Sequence, residues 1–247
     1  ASLVTTSPNQ LSSSVKFTER GTYTLNLKAD NGFLHTNTPV LITVSQRPAI
    51  SAGIPRVQRM LTPFTEITLS EAIVTDSGLG NPQQQLLFRW DKTTGATFLK
   101  DNVLNPNVRF ASNGVYILKL TALHPDHPDE LFASADVKIT VNQPPVVDAG
   151  VDPQPLFFDR STGAQFVAVK LDGTVSDDGL PEIPGSVAFK WTKVVEKSTP
   201  NSPVVVFSPN NTSDLVEARF SKKGKYVLQL EADDSIEKVS DEVTVIV

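Results

Sequence analysis

The chain has 247 residues, of which 39% are hydrophobic, a net charge of −5 and no cysteine. That composition excludes disulfide and thiol chemistry. It supplies no basic stripe for nucleic acid, and no apolar run approaches membrane-spanning length. The acidity is uneven: residues 1–46 carry three basic and two acidic side chains, residues 47–142 nine of each, and residues 143–247 ten basic against sixteen acidic.

Apolar residues do not recur at helical spacing for more than a turn or so, and Thr, Val, Ser, Pro and Asn dominate, as in short strands joined by turns. The expected class is all-β. In chain order, Val15-Lys16-Phe17 reads as a strand turning back toward Gly21. From there Tyr23, Leu25, Leu27 and Ala29 alternate with Thr24, Asn26 and Lys28. A period of two predicts a strand with one buried and one wet face. Leu41–Val44 closes this segment. A second segment has Phe88-Arg89-Trp90, then Val108-Arg109-Phe110, then Gly114-x-Tyr116-x-Leu118-x-Leu120-x-Ala122, and closes at Val137–Val141. The third has Phe189-Lys190-Trp191, Ala218-Arg219-Phe220, Gly224-x-Tyr226-x-Leu228-x-Leu230-x-Ala232, and a last strand over Glu242–Val247.

The Gly-x-Tyr-x-Leu-x-Leu-x-Ala pattern thus occurs three times, and it holds all three tyrosines of the chain. Its spacing, 93 residues and then 110, suits a repeated small domain and not a solenoid unit. A phenylalanine stands six residues before each tyrosine (Phe17, Phe110, Phe220). A tyrosine placed so near a strand start predicts a tyrosine corner, with the ring buried and the hydroxyl bonded to upstream backbone. Trp90 and Trp191, mid-strand among apolar neighbours, are expected in sandwich cores. Three units follow: 1–46, the C-terminal half of a sandwich; 47–142, a divergent sandwich; and 143–247, a full one. Because the tryptophan strand of the first unit would fall before Ala1, that unit is expected to be completed by another segment or chain. The junctions at Arg47-Pro48 and Gln143-Pro144-Pro145 predict short, semi-rigid linkers.

The third unit carries Pro144-Pro145-Val146-Val147-Asp148-Ala149-Gly150, then Leu171-Asp172-Gly173-Thr174-Val175-Ser176-Asp177-Asp178-Gly179, Trp191, Phe220, Gly224-Lys225-Tyr226 and Val243-Thr244-Val245. In this set it resembles a PKD domain, the immunoglobulin-like module of polycystins and of many bacterial and archaeal surface proteins. The second unit keeps Ala52-Gly53, Trp90, Phe110 and Gly114-Val115-Tyr116, and the first keeps only its C-terminal half. Both tryptophan strands depart from the Phe-Gly-Asp-Gly turn of many relatives, with Asp91-Lys92-Thr93 and Thr192-Lys193-Val194 in its place. The resemblance implies tandem Greek-key β-sandwiches with non-catalytic work: spacing, adhesion, or presentation of a neighbouring domain. It also implies an extracellular or cell-surface setting, which the absence of cysteine inclines toward bacteria or archaea.

Asp172, Asp177 and Asp178 share one loop region, and Asp233-Asp234 follow the third tyrosine strand. In a sandwich of this topology those loops lie at one end. Two readings apply: the carboxylates converge as hard oxygen ligands on calcium, which the resemblance favours, or they are solvated turn residues. His124-Pro-Asp126-His127-Pro-Asp129 offers a transition metal two histidines but no third ligand set. No nucleophile elbow or phosphate loop is present, and an enzyme is not expected. The expected function is a structural or adhesive segment of a larger surface protein, its partners the other domains of the same polypeptide, neighbouring copies, or a polysaccharide or protein surface. The alternative is a polymer-anchoring region beside a secreted hydrolase, for which exposed tryptophans would do the gripping.

Overall fold

The computed structural model describes residues 4–6, 12–76, 85–159, 161, 163–213 and 215–247, and among them every regular element is a β-strand. The all-β expectation holds. In the first repeat β1 (Val4–Thr6) pairs antiparallel with β2 (Ser14–Lys16), and β3 (Gly21–Asp30) with β4 (His35–Val44). Tyr23 lies opposite Ile42, Leu25 opposite Val40 and Leu27 opposite Thr38. Side-chain oxygens close the β3–β4 hairpin: Gly32 N donates to Asp30 Oδ1, and the amides of Phe33 and Leu34 to Asn31 Oδ1, the local bonding that makes these residues turn formers.

The second repeat contributes β5 (Ala49–Ser51), β6 (Arg56–Arg59), β7 (Thr65–Thr68), β8 (Ile73–Thr75), β9 (Leu87–Trp90), β10 (Ala96–Phe98), β11 (Asn107–Phe110), β12 (Gly114–Leu123) and β13 (Phe132–Asn142). Its two larger sheets run β10-β11-β7 and β6-β13-β12-β9. The third contributes β14 (Val146–Asp148), β15 (Val167–Leu171), β16 (Thr174–Ser176), β17 (Ala188–Val194), β18 (Val206–Ser208), β19 (Val216–Phe220), β20 (Lys225–Asp233) and β21 (Lys238–Ile246). Its larger sheets run β15-β19-β18 and β17-β20-β21. Their inner faces enclose Trp191, Phe220, Tyr226, Leu228, Leu230, Val243 and Val245, each almost wholly removed from water. Burial of each large apolar side chain contributes about 1.5–3 kcal/mol. These are immunoglobulin-like sandwiches, with one tryptophan of the tyrosine-strand sheet at the centre.

The hydroxyl bond of the tyrosine corner forms as the repeat pattern predicts at both ends of the chain, but the expected burial of the ring is met by Tyr226 and not by Tyr23, which is half-buried. Tyr23 donates its hydroxyl to Glu19 O at 2.7 Å, and Tyr226 to Lys222 O at 2.8 Å, each four residues upstream. Phe17 packs on Tyr23 and Phe220 on Tyr226 with ring centroids 4.7 Å apart in both. Burial pushes the Tyr226 phenol above its ordinary pKa. One detail departs from simple alternation. Val227 points away from the inward row yet is buried, because the segment around Ser198 and Thr199 runs along β20 and bonds it at Val227 N and Lys225 N.

By internal contacts the chain divides into two compact units. One comprises Ala1–Pro55, Glu66–Arg109 and Tyr116–Lys138; the other comprises Arg56–Thr65, Phe110–Val115 and Ile139–Val247. The junction between the second and third repeats therefore lies inside the second compact unit.

Candidate functional site

The five aspartates singled out by sequence fall into three settings. Asp177 and Asp178 follow β16, while Asp233 ends β20 and Asp234 begins the turn to β21. Each aspartate of both pairs accepts a hydrogen bond from the amide two residues on: Asp177 from Gly179, Asp178 from Leu180, Asp233 from Ser235 and Asp234 from Ile236, at 2.8–3.0 Å. These are Asx turns, and they occupy one carboxylate oxygen of each residue. Asp234 Oδ1 also accepts from Glu237 N. The left-handed conformation of Ser235, φ 78°, completes that turn.

The remaining oxygens are used differently. Asp234 is 2% exposed, and its Oδ2 accepts from Asn142 Nδ2 at 2.8 Å. Asn142 is itself fully buried at the end of β13, where its backbone oxygen accepts from Met60 N at 2.7 Å. Asp178 Oδ2 receives both Gln143 N and Asn113 Nδ2 at 2.9 Å. Arg59, paired with Asn142 in the parallel β6–β13 ladder, reaches Glu237 Oε2 at 3.0 Å. So the loop end of the third repeat grips the junction through three residues of the second repeat (Arg59, Asn113 and Asn142) together with Gln143 of the linker.

Asp177 sits between these contacts. Burial, and then the charges of Asp178 and Asp234, hold its carboxyl above the usual range, against the pull of the Gly179 amide. Its Oδ1 and the Asn142 Oδ1 are buried and accept no hydrogen bond from the described residues. Asp233 turns outward to Lys238, 3.0 Å away, and that ion pair lowers its carboxyl pKa. Asp172 is exposed, and a side chain at Gly150 would collide with its Oδ1. The structure thus brings Asp177, Asp178 and Asp234 together and leaves Asp172 and Asp233 in separate roles. Among the described residues no group of three or more His, Cys, Asp or Glu side chains is arranged to hold a metal. His124 bonds Asp76 at 3.2 Å, and His127 stands 4.0 Å from Glu130.

Both tryptophans are interior, Trp90 at 1% and Trp191 at 3% exposure. Trp90 Nε1 donates to Val103 O, and Trp191 exchanges backbone and side-chain bonds with Asn211. Sequence reasoning missed Asn142, Asn113 and Gln143 as partners of the carboxylates. The available signal was the polar pair Asn142-Gln143 ending an apolar strand just before two prolines.

No family model matches the chain. Among solved structures it is similar to the titin I-band fragment I67–I69 (12% identity, TM-score 0.43, 92% of this chain and 74% of that one). It is also similar to protocadherin gamma B7 cadherin domains 1–4 (14% identity, TM-score 0.44, 92% and 57%). A shorter match is the PKD domain from the KIAA 1837 protein (18% identity, TM-score 0.28, 41% and 91%). The architecture itself stands on the strand pairing, tyrosine corners and tryptophan cores described above.

Proposed function

We propose that this chain is a non-catalytic structural segment of an extracellular protein, built from PKD-type sandwiches, in which the joint between the second and third repeats is latched and not freely hinged. The observation that carries this reading is the Asn142–Asp234 hydrogen bond, made between two nearly water-free side chains 92 residues apart in sequence. A buried amide–carboxylate bond is strong where solvent cannot compete, and breaking it by removing one partner leaves an unpaired buried group. The Asp178 and Arg59 contacts brace the same joint from two further directions. The two prolines of the linker restrict the backbone at that point. A spacer that holds neighbouring domains at a set distance needs this property.

The test uses the absence of native cysteine: Lys119→Cys and Lys223→Cys are spin-labelled and the distance distribution is measured. A narrow distribution that broadens in Asn142→Ala supports the latch. A distribution already broad, or unchanged by the substitution, removes it.

Calcium at this joint is a second reading, motivated by the buried Asp177 Oδ1 and Asn142 Oδ1, which accept no hydrogen bond from the described residues. Carboxylate and amide oxygens are suitable donors for such an ion. Calcium at millimolar concentration would then stabilise the joint by about 0.5–2 kcal/mol. Equal melting temperatures in calcium and in chelator eliminate this reading while leaving the latch intact.

A further inference from the structure

The residue before the tyrosine-corner glycine is basic in the first and third repeats, Arg20 before Gly21 and Lys223 before Gly224, and asparagine in the second, Asn113 before Gly114. That exchange matters twice. Asn113 Nδ2 donates to Asp178 Oδ2 at 2.9 Å, beside the Gln143 amide on the same oxygen. Asn113 also belongs to one of the two Asn-Gly pairs of the chain, the other being Asn31-Gly32. Because glycine has no Cβ, its backbone nitrogen reaches the side-chain carbonyl carbon of a preceding asparagine with least hindrance, and asparagine is among the thermally labile residues. The two pairs are held differently. Gly32 N donates to Asp30 Oδ1, and Asn31 Oδ1 accepts from Phe33 N and Leu34 N, all within one hairpin turn. Asn113 is held by a carboxylate 65 residues away.

We propose that Asn113-Gly114 is a self-modifying site, whose deamidation turns the Asn113–Asp178 contact from attraction into repulsion. Gly114 N attacks Asn113 Cγ, the Cγ–Nδ2 bond breaks, and Nδ2 leaves as ammonia with the proton lost from the Gly114 amide. Water then opens the cyclic imide at either carbonyl, leaving aspartate or isoaspartate. Departure of Nδ2 requires it to give up Asp178, and a hydrogen bond to a charged acceptor is among the stronger ones. The contact therefore protects the site for as long as it lasts. The counterpart nitrogen of the third repeat, Gly224 N, is tied across its strand end to Val247 O at 3.0 Å, so attack at this place in the fold belongs to moments when the strand end opens. Once converted, residue 113 has no side-chain donor for Asp178 and sets a second negative charge against it. The isoaspartate product also lengthens the backbone by one carbon at the entry to β12. The change runs one way: an opened contact that has reacted is not remade. This inference rests on the proposed latch at one of its contacts.

The full chain, Asp178→Asn and Leu230→Ala are held in warm, mildly alkaline buffer, and conversion at Asn113 and Asn31 is followed by peptide mass mapping. Asn31 serves as the internal clock. Relative to it, Asn113 should convert about tenfold faster in Asp178→Asn than in the unaltered chain. Leu230→Ala weakens the third repeat without touching this contact, and its acceleration should fall well short of that. An unchanged ratio in Asp178→Asn overturns the proposal, as does equal acceleration in both variants, which would assign the effect to unfolding. Asn113→Asp, the product itself, should speed hydrogen exchange at the Gln143 amide, which shares Asp178 Oδ2; unchanged exchange there also overturns it. If Asn142→Ala leaves the spin-label distances unaltered while Asp178→Asn still accelerates Asn113, the modification site stands and the latch falls.

Discussion

β3 in the first repeat and β20 in the third carry the same alternating pattern, start from the same tyrosine corner and pair with a closing strand in the same sense. Their interiors differ completely. Tyr226, Leu228, Leu230 and Ala232 are 0–1% exposed, whereas β3 holds Tyr23 and Leu25 only half-buried and Leu27 and Ala29 in water. The pattern therefore specifies which face of a strand turns inward, and the second sheet and the tryptophan strand supply the burial. An apolar row acquires stabilising value only when another surface removes it from water.

Leucine truncation tests this contrast most severely. Leu230→Ala should destabilise the third repeat by about 2–5 kcal/mol through the lost transfer energy and the cavity beside Trp191. Leu27→Ala should change stability by no more than about 0.5 kcal/mol. Urea unfolding followed by tryptophan fluorescence for the first, and by circular dichroism for both, makes the comparison. Equal costs would mean that β3 is as well covered as β20. A smaller effect comes from the tyrosine hydroxyls. Tyr226→Phe should cost about 1 kcal/mol, since a half-enclosed carbonyl loses its donor, and Tyr23→Phe should cost less because water reaches Glu19 O. Similar values at both corners would indicate that solvent does not distinguish them.

Asp177 sharpens the comparison by pH. Because burial and its acidic neighbours raise its carboxyl above 3.8, the folded state holds this proton more tightly than the unfolded chain does. Its contribution therefore favours folding at low pH and is lost as pH rises through the raised folded value. Asp177→Asn should raise the melting temperature at neutral pH by about 2 °C and remove this residue's share of the acid-side slope. A fall at neutral pH would show that the charge is needed where it stands. Asp233 has the opposite sign, since Lys238 holds its carboxyl low: its stabilisation is present above the ordinary carboxylate range and is lost as pH falls through the folded value.

The same loop end in the second repeat shows what the third has gained. There His124 stands where Asp234 stands in the third, and it bonds Asp76 of its own repeat. In the third, Asp234 reaches outside its repeat to Asn142. The carboxylate pairs were legible in the sequence as turn residues, because an aspartate bonding the amide two residues on is a local event. Their pairing with Asn142, Asn113 and Gln143 was not, because it spans 35 to 92 residues and depends on where two loops are carried by separate sheets.

By itself the amino-acid sequence determined the strand class, the threefold pattern, the tyrosine corners and the interior placement of both tryptophans, since each follows from alternation and near-neighbour hydrogen bonding along one strand or turn. Only the tertiary structure decided that Asp178 and Asp234 bond residues of the preceding repeat and its linker, that Asp177 is crowded by its neighbours, and that, among the described residues, β3 pairs with β4 alone. Those outcomes depend on which distant surfaces meet, and burial and charge pairing belong to the meeting of surfaces.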